Sequence, residues 1–133
     1  MEMGRIKQFI DVNATKEQIY DMWLNSKKHS KLIGATAVTS NKVGGKISIW
    51  DGYITGKNLE LIQDYKIVQL LRFDYDDWDE DHFSKFTLKF KRKSSGKIQI
   101  VINHSQIPKA YTKEISDGWK KYYWDKLKLY KFS

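Results

Sequence analysis

Cysteine is absent from this 133-residue chain, and proline occurs once, at Pro108. Without cysteine there are no disulfides, no thiolate nucleophile and no sulfur ligands for a metal. Histidine is scarce too: His29, His82 and His104 form no close pair and no His-x-x-x-His spacing. No stretch approaches the roughly twenty apolar residues of a membrane span. The opening segment, Met1 to Lys7, is charged where a signal peptide needs an uncharged apolar run. A cytoplasmic chain with no membrane partner is therefore expected, and the lack of cysteine fits a reducing compartment. Acidic residues are outnumbered, 16 against 24 Lys and Arg, for a net charge of +8.

A basic balance raises nucleic acid as a partner. Here the lysines are spread over many segments, and the densest run, Lys89 to Lys97, surrounds Ser94-Ser95-Gly96 and reads as a solvated hairpin tip. No RNA- or DNA-binding signature accompanies it, so no nucleic-acid partner is expected. Asp74, Asp76, Asp77, Asp79, Glu80 and Asp81 lack the central glycine and terminal glutamate of a calcium loop. They read as a solvated acidic loop pinned by Trp78. Gly44-Gly45-Lys46 lacks the spacing of a phosphate-binding loop, and Ile47 stands where Ser or Thr is needed. Ser84 has His82 two residues away, but no orienting acid or oxyanion hole is evident. The sequence thus offers no catalytic constellation, no metal site and no cofactor motif.

What the chain does have is periodicity. After Pro108, Tyr111, Ile115, Trp119, Tyr122, Tyr123, Leu127, Leu129 and Tyr130 recur at helical spacing and fall within an arc of roughly 160°. The spacing predicts one helix from Tyr111 to Lys131 with a wide aromatic face. Lys126 falls inside that arc, with its stem packed and its ammonium at the rim, or else anchoring a ligand carboxylate. Upstream, Ile6 to Val12 reads as a strand. Asn13 or Thr15 can cap a helix carrying Ile19, Tyr20, Trp23 and Leu24, which ends in the polar stretch Asn25 to Ser30. Gly34 and Gly44-Gly45 bracket a loop with room for a short strand at 36–39. Strands follow at Lys46 to Trp50, Tyr53 to Leu61, Lys66 to Phe73, His82 to Arg92 and Lys97 to His104. Asp51-Gly52 is a hairpin signal and Gly56 a candidate bulge. Ser84, Phe86, Leu88 and Phe90 share one face of their strand. Ile98, Ile100, Ile102 and His104 share the inward face of the next. The predicted class is α+β, a curved antiparallel sheet against a long C-terminal helix in a single domain spanning residues 1–133.

Several residues in order carry a resemblance: Asp51-Gly52-Tyr53-Ile54-Thr55-Gly56, Leu59-Glu60-Leu61, Lys66-Ile67-Val68-Gln69, Arg72-Phe73, Asp77-Trp78, His82-Phe83-Ser84, Ile107-Pro108, and Gly118-Trp119 before Tyr122-Tyr123-Trp124 and Leu127. The series resembles the domain named for the activator of the heat-shock protein 90 ATPase, a stress-response member of the START-like (SRPBCC) superfamily. The resemblance implies a helix-grip fold, with the sheet wrapped around the C-terminal helix and a cavity between them. Single-domain relatives are mostly regarded as binders of small apolar or aromatic molecules, which makes such a ligand the first expectation. The alternative is a co-chaperone that binds and stimulates a heat-shock protein 90 type ATPase. In the eukaryotic activator a separate N-terminal domain makes much of the chaperone contact. This chain is similar to the C-terminal domain alone, so weak or absent stimulation is expected. A monomer or weak dimer is expected.

If the cavity is open, the ligand should meet Trp119, Tyr123 and Leu127 from the helix and Phe86, Ile102 and His104 from the sheet. His104 would supply the hydrogen bond and the aromatic rings the contact area. The competing expectation is that these same six side chains interlock as a closed core.

Overall fold

The computed structural model describes residues 2–132. Its strands are β1 (Met3–Val12), β2 (Ala37–Val38), β3 (Lys46–Ile49), β4 (Ile54–Ile62), β5 (Lys66–Phe73), β6 (Ser84–Arg92) and β7 (Ile98–Pro108). Its helices are α1 (Lys16–Leu24), α2 (Ser26–Ile33), α3 (Thr112–Trp119) and α4 (Asp125–Leu129). The strands form one antiparallel sheet in the order β1-β7-β6-β5-β4-β3-β2. From β2 to β7 it is a meander of successive neighbours. β1 then closes onto β7, with Ile10 opposite Ile100 and Gln8 opposite Ile102.

Alternation decides which face is covered. Ile6, Ile10 and Val12 of β1, Phe86, Leu88 and Phe90 of β6, and Ile98, Ile100, Ile102 and His104 of β7 are all buried under the helices. Gly56 is not a bulge. It pairs in register with Ile47 and Leu71, and the register shift lies between Asn58 and Glu60. A Cβ at Gly56 would collide with the backbone carbonyl of Leu70, so close strand approach is what requires glycine there. The strand read from His82 starts at Ser84. His82 lies just before it, and its Nε2 is 2.6 Å from the carbonyl of Gln106.

Thr15 caps α1 in a capping box with Gln18. The segment after α1 does not stay irregular. Asn25 accepts from the Lys28 N–H and starts α2, which Gly34 ends in a left-handed conformation. His29, Leu32 and Ile33 form the buried face of α2, and His29 is fully buried.

The C-terminal segment is helical without a break from Thr112 to Leu129, while Lys109–Tyr111 form a 3-10 turn before it. Between α3 and α4, Lys120–Trp124 form a π turn. Its wider winding inserts one residue into the repeat and shifts the buried face. Trp119, Tyr123, Trp124 and Leu127 point inward, whereas Tyr122 is 43% and Leu129 84% exposed. The unbroken α-helical arc expected from the sequence is corrected at these positions. Lys126 swings to the rim, and its Nζ donates to the Ile33 carbonyl at 2.9 Å, near the C-terminus of α2.

Candidate functional site

Trp23 on α1 lies at the centre of the interior. Its ring stacks on Phe86 at 5.7 Å and on Trp124 at 6.0 Å, and packs on Tyr123 at 5.0 Å. Trp119 stacks on Phe86 at 4.6 Å. Each buried indole N–H has an acceptor. Trp23 donates to Gln69 Oε1 (3.2 Å), Trp78 to the His82 carbonyl (2.8 Å), Trp119 to His104 Nδ1 (3.0 Å) and Trp124 to Gln8 Oε1 (2.6 Å). Gln69 in turn donates to Asn58, whose amide donates to the carbonyls of Ser40 and Lys42. The sheet, the helices and the loop before β3 are thereby joined by polar contacts inside the apolar core.

These bonds fix both buried histidine tautomers. At His104, Nδ1 accepts from Trp119, so the proton of the neutral ring is on Nε2 and is donated to Ser84 Oγ, 2.8 Å away. Ser84 gives its own proton to the Leu71 carbonyl at 2.8 Å. The serine that sequence proximity paired with His82 thus meets His104, in the reverse sense of a nucleophile and base. Among the described residues no carboxylate orients the pair. Among the described residues no cluster of three or more His, Asp or Glu could hold a metal. At His29, Nδ1–H donates to the Trp23 carbonyl and Nε2 accepts from the Tyr123 hydroxyl, each at 2.8 Å. Burial holds His29 down at about 4 and His104 at about 3. Burial also pushes the Tyr123 phenol well up.

All six side chains expected around a ligand are buried: Phe86, Ile102, His104, Trp119, Tyr123 and Leu127. The structure brings them onto one side of the sheet. An open groove of about 510 Å³ runs beside them, where the β3–β4 turn meets α3 and the π turn. Trp119 and Tyr123 reach it. The other four do not line it. Its remaining wall comes from Trp50, Tyr53, Ile54 and Phe73 on the sheet, and from Glu114, Ile115, Asp117, Gly118, Lys121 and Tyr122 on the helix. Two larger depressions elsewhere, about 850 Å³ each, are lined chiefly by polar and charged side chains.

The groove has local causes. Trp50, Asp51 and Gly52 take φ of 53°, 52° and 90° in succession. A left-handed backbone is unusual for a residue as bulky as tryptophan and costs on the order of 1–3 kcal/mol. The turn is held by the Trp50 N–H on the Thr36 carbonyl (2.9 Å) and the Tyr53 N–H on the Trp50 carbonyl (3.1 Å). It presents the half-buried Trp50 ring edge-on to Tyr122 at 5.7 Å and Tyr123 at 5.9 Å. Opposite, Gly118 leaves the helix surface bare. A Cβ there would meet nothing closer than Tyr122 at 4.0 Å. Tyr53 is 37% exposed. The signals for this groove in the sequence were the aromatic residues flanking Asp51-Gly52 and a glycine inside a helix with no turn to make.

A seven-stranded antiparallel sheet gripping a C-terminal helix, with an aromatic groove along the contact, defines a START-like helix-grip domain. The model of the family described as Activator of Hsp90 ATPase homolog 1-like protein matches residues 13–130, and the chain belongs to that family. It is 28% identical over 115 residues to the human activator of 90 kDa heat shock protein ATPase homolog 1, covering 86% of this chain and 33% of that protein. To the Dictyostelium discoideum homologue it is 29% identical over 109 residues, covering 82% and 28% respectively. The chain thus spans about a third of the length of the curated relatives it matches. Among solved structures, an HSP90 activator from Plasmodium falciparum superposes with a TM-score of 0.84 at 22% identity, covering 94% of each chain. The Aha1 dimer from Colwellia psychrerythraea gives 0.76 at 15% identity, covering 95% of this chain and 97% of that one. At these identities the structural likeness concerns the fold.

Proposed function

We propose that this chain is a co-chaperone domain that docks onto a heat-shock protein 90 type ATPase. The observation that carries the reading is the family match over residues 13–130, supported by relatives named for activating that ATPase. The aromatic groove is the docking face. It is open, it exposes Tyr53 and Tyr122, and its floor at Gly118 is clear for a partner side chain. The deep interior, by contrast, is packed with stacked rings whose indole N–H groups already have acceptors. The test is titration of this chain into a purified chaperone of that type, followed by sedimentation and by phosphate release. Saturable binding with a weak rise in turnover is the expected result. No binding at stoichiometric concentration would reject the reading.

The groove also favours a second reading. Its volume falls in the range of small-molecule sites, roughly 300–1,000 Å³, and its walls are largely aromatic. An apolar or aromatic molecule entering there would touch Trp119 and Tyr123 first. It would reach Phe86, Ile102, His104 and Leu127 after a shift of the Trp119 ring. Native mass spectrometry of the purified protein tests this. A copurifying small molecule supports it, and a bare protein that also leaves an apolar dye such as ANS unbound counts against it.

A further inference from the structure

Charge is unevenly placed on this chain. Of its 16 acidic residues, six lie in the segment between β5 and β6, from Asp74 to Asp81, and two more, Glu114 and Asp117, line the groove. Half of the carboxylates of a molecule with net charge +8 are therefore gathered at one end. The segment and the groove are joined by tyrosines. Tyr53, on the groove wall, has its hydroxyl 2.8 Å from that of Tyr75, and the Asp74 N–H donates to the Tyr53 carbonyl at 2.8 Å. Tyr75 stacks on Tyr111 at 4.0 Å and 5°, and the Tyr111 hydroxyl donates to Asp77. Glu114 lies close enough to these phenols to add to their upward shifts, which arise first from burial at Tyr53 and Tyr75 and from the Asp77 bond at Tyr111. Among the described residues neither Glu114 nor any carboxylate of the segment forms an ion pair, while Asp117 is paired with Lys113. One cation already rests on the groove rim: Lys121 Nζ is 5.2 Å from the Tyr122 ring centre.

We propose that the groove receives a short polypeptide segment that is both apolar and cationic. Its aliphatic side chains lie on Trp50 and Tyr122, and its arginine or lysine reaches Glu114 and the acidic segment. The proposal rests on the reading of the groove as a docking face and names the chemistry of what docks. Arginine suits both halves, because a guanidinium stacks on aromatic rings and pairs with carboxylates. An acidic segment would meet like charge at the rim, and an uncharged one would strip water from carboxylates without pairing them. The anionic surfaces of membranes and nucleic acids are repelled at this end. The overall charge of +8 also repels a cationic segment, but screening shortens that reach to about 8 Å at physiological salt, so local contacts decide.

Two ten-residue peptides test the proposal, one of leucine and arginine and one with glutamate replacing arginine, followed by tryptophan fluorescence of the folded chain. The arginine peptide should bind saturably and the glutamate peptide should not. Affinity should fall by about tenfold or more in the double variant Glu114→Gln, Asp76→Asn, and likewise in Gly118→Leu, which fills the floor. Circular dichroism verifies that both variants fold. Absence of saturation, equal binding of the glutamate peptide, or an unchanged affinity in Gly118→Leu overturns the proposal, the last because attraction would then belong to the acidic segment alone. Chaperone binding by the same variants separates this from the functional reading. If Gly118→Leu loses the chaperone but the charge variant does not, the docking face stands and the cationic partner falls. If the arginine peptide binds as described but the chaperone does not, the functional reading falls and the groove chemistry stands.

Discussion

Trp119 joins the core to the groove: one face stacks on Phe86, its N–H is held by His104, and it reaches the groove wall. Trp119→Ala should lower stability by about 3–5 kcal/mol in urea unfolding, since a large buried ring leaves a cavity. A loss below about 1 kcal/mol would contradict its place in the core. The two buried histidines make a second prediction. Both are neutral in the fold, with values of about 4 for His29 and about 3 for His104, below the 6.5 of an unperturbed ring. Depressed values mean that the unfolded chain binds more protons as pH falls below about 6.5. Stability is therefore complete above that pH and is lost as pH drops toward the folded values. Between about pH 7 and about pH 5 each histidine should cost about 2 kcal/mol. A urea midpoint that stays flat across this window would mean that the rings are hydrated or protonated in the fold. The positions of His104 and Ser84 were legible, because alternation along β6 and β7 turns them inward. The burial of His29 was not. It sits among lysines, and its partner Tyr123 is brought to it from the other end of the chain.

At the scale of elements, the strands were read from period-two alternation, which survives because one face of the sheet is covered. The C-terminal helix was legible in existence and extent but not in phase. Nothing in Lys120-Lys121-Tyr122-Tyr123-Trp124 marks a π turn in advance, since all three aromatic residues are equally good candidates for burial. Tertiary packing chose Tyr123 and Trp124, with Trp124 stacking on Trp23 and Trp119. The groove was half legible for a similar reason. Periodicity tells which side chains face inward, and it cannot tell where the interior opens. That is set where the strained Trp50 turn meets the helix. Gly118 belongs to this account, because a glycine inside a helix costs about 1 kcal/mol against alanine. With nothing nearer than Tyr122 at 4.0 Å to a Cβ added there, Gly118→Ala should raise the unfolding midpoint by an amount worth about 1 kcal/mol. A destabilised Gly118→Ala would mean that the helix surface there is not clear.

For the whole molecule, a buried interior of stacked aromatic rings supports an open aromatic groove, and half of the acids of a basic chain lie in the groove wall and the segment joined to it. The core is rigidified by three indole hydrogen bonds that tie sheet to helices, from Trp23, Trp119 and Trp124, while among the described residues the Trp50 indole makes none. No helix among the described residues is long and apolar enough to cross a membrane. The docking claim is tested most directly by nitrogen–proton NMR of the indole groups as a heat-shock protein 90 type chaperone is added. Trp50 on the groove should shift or broaden first and most, and the deeply buried Trp23, Trp78 and Trp124 should move little. Chaperone binding that leaves the Trp50 signal in place, or no change in any indole at saturating chaperone, would contradict the account.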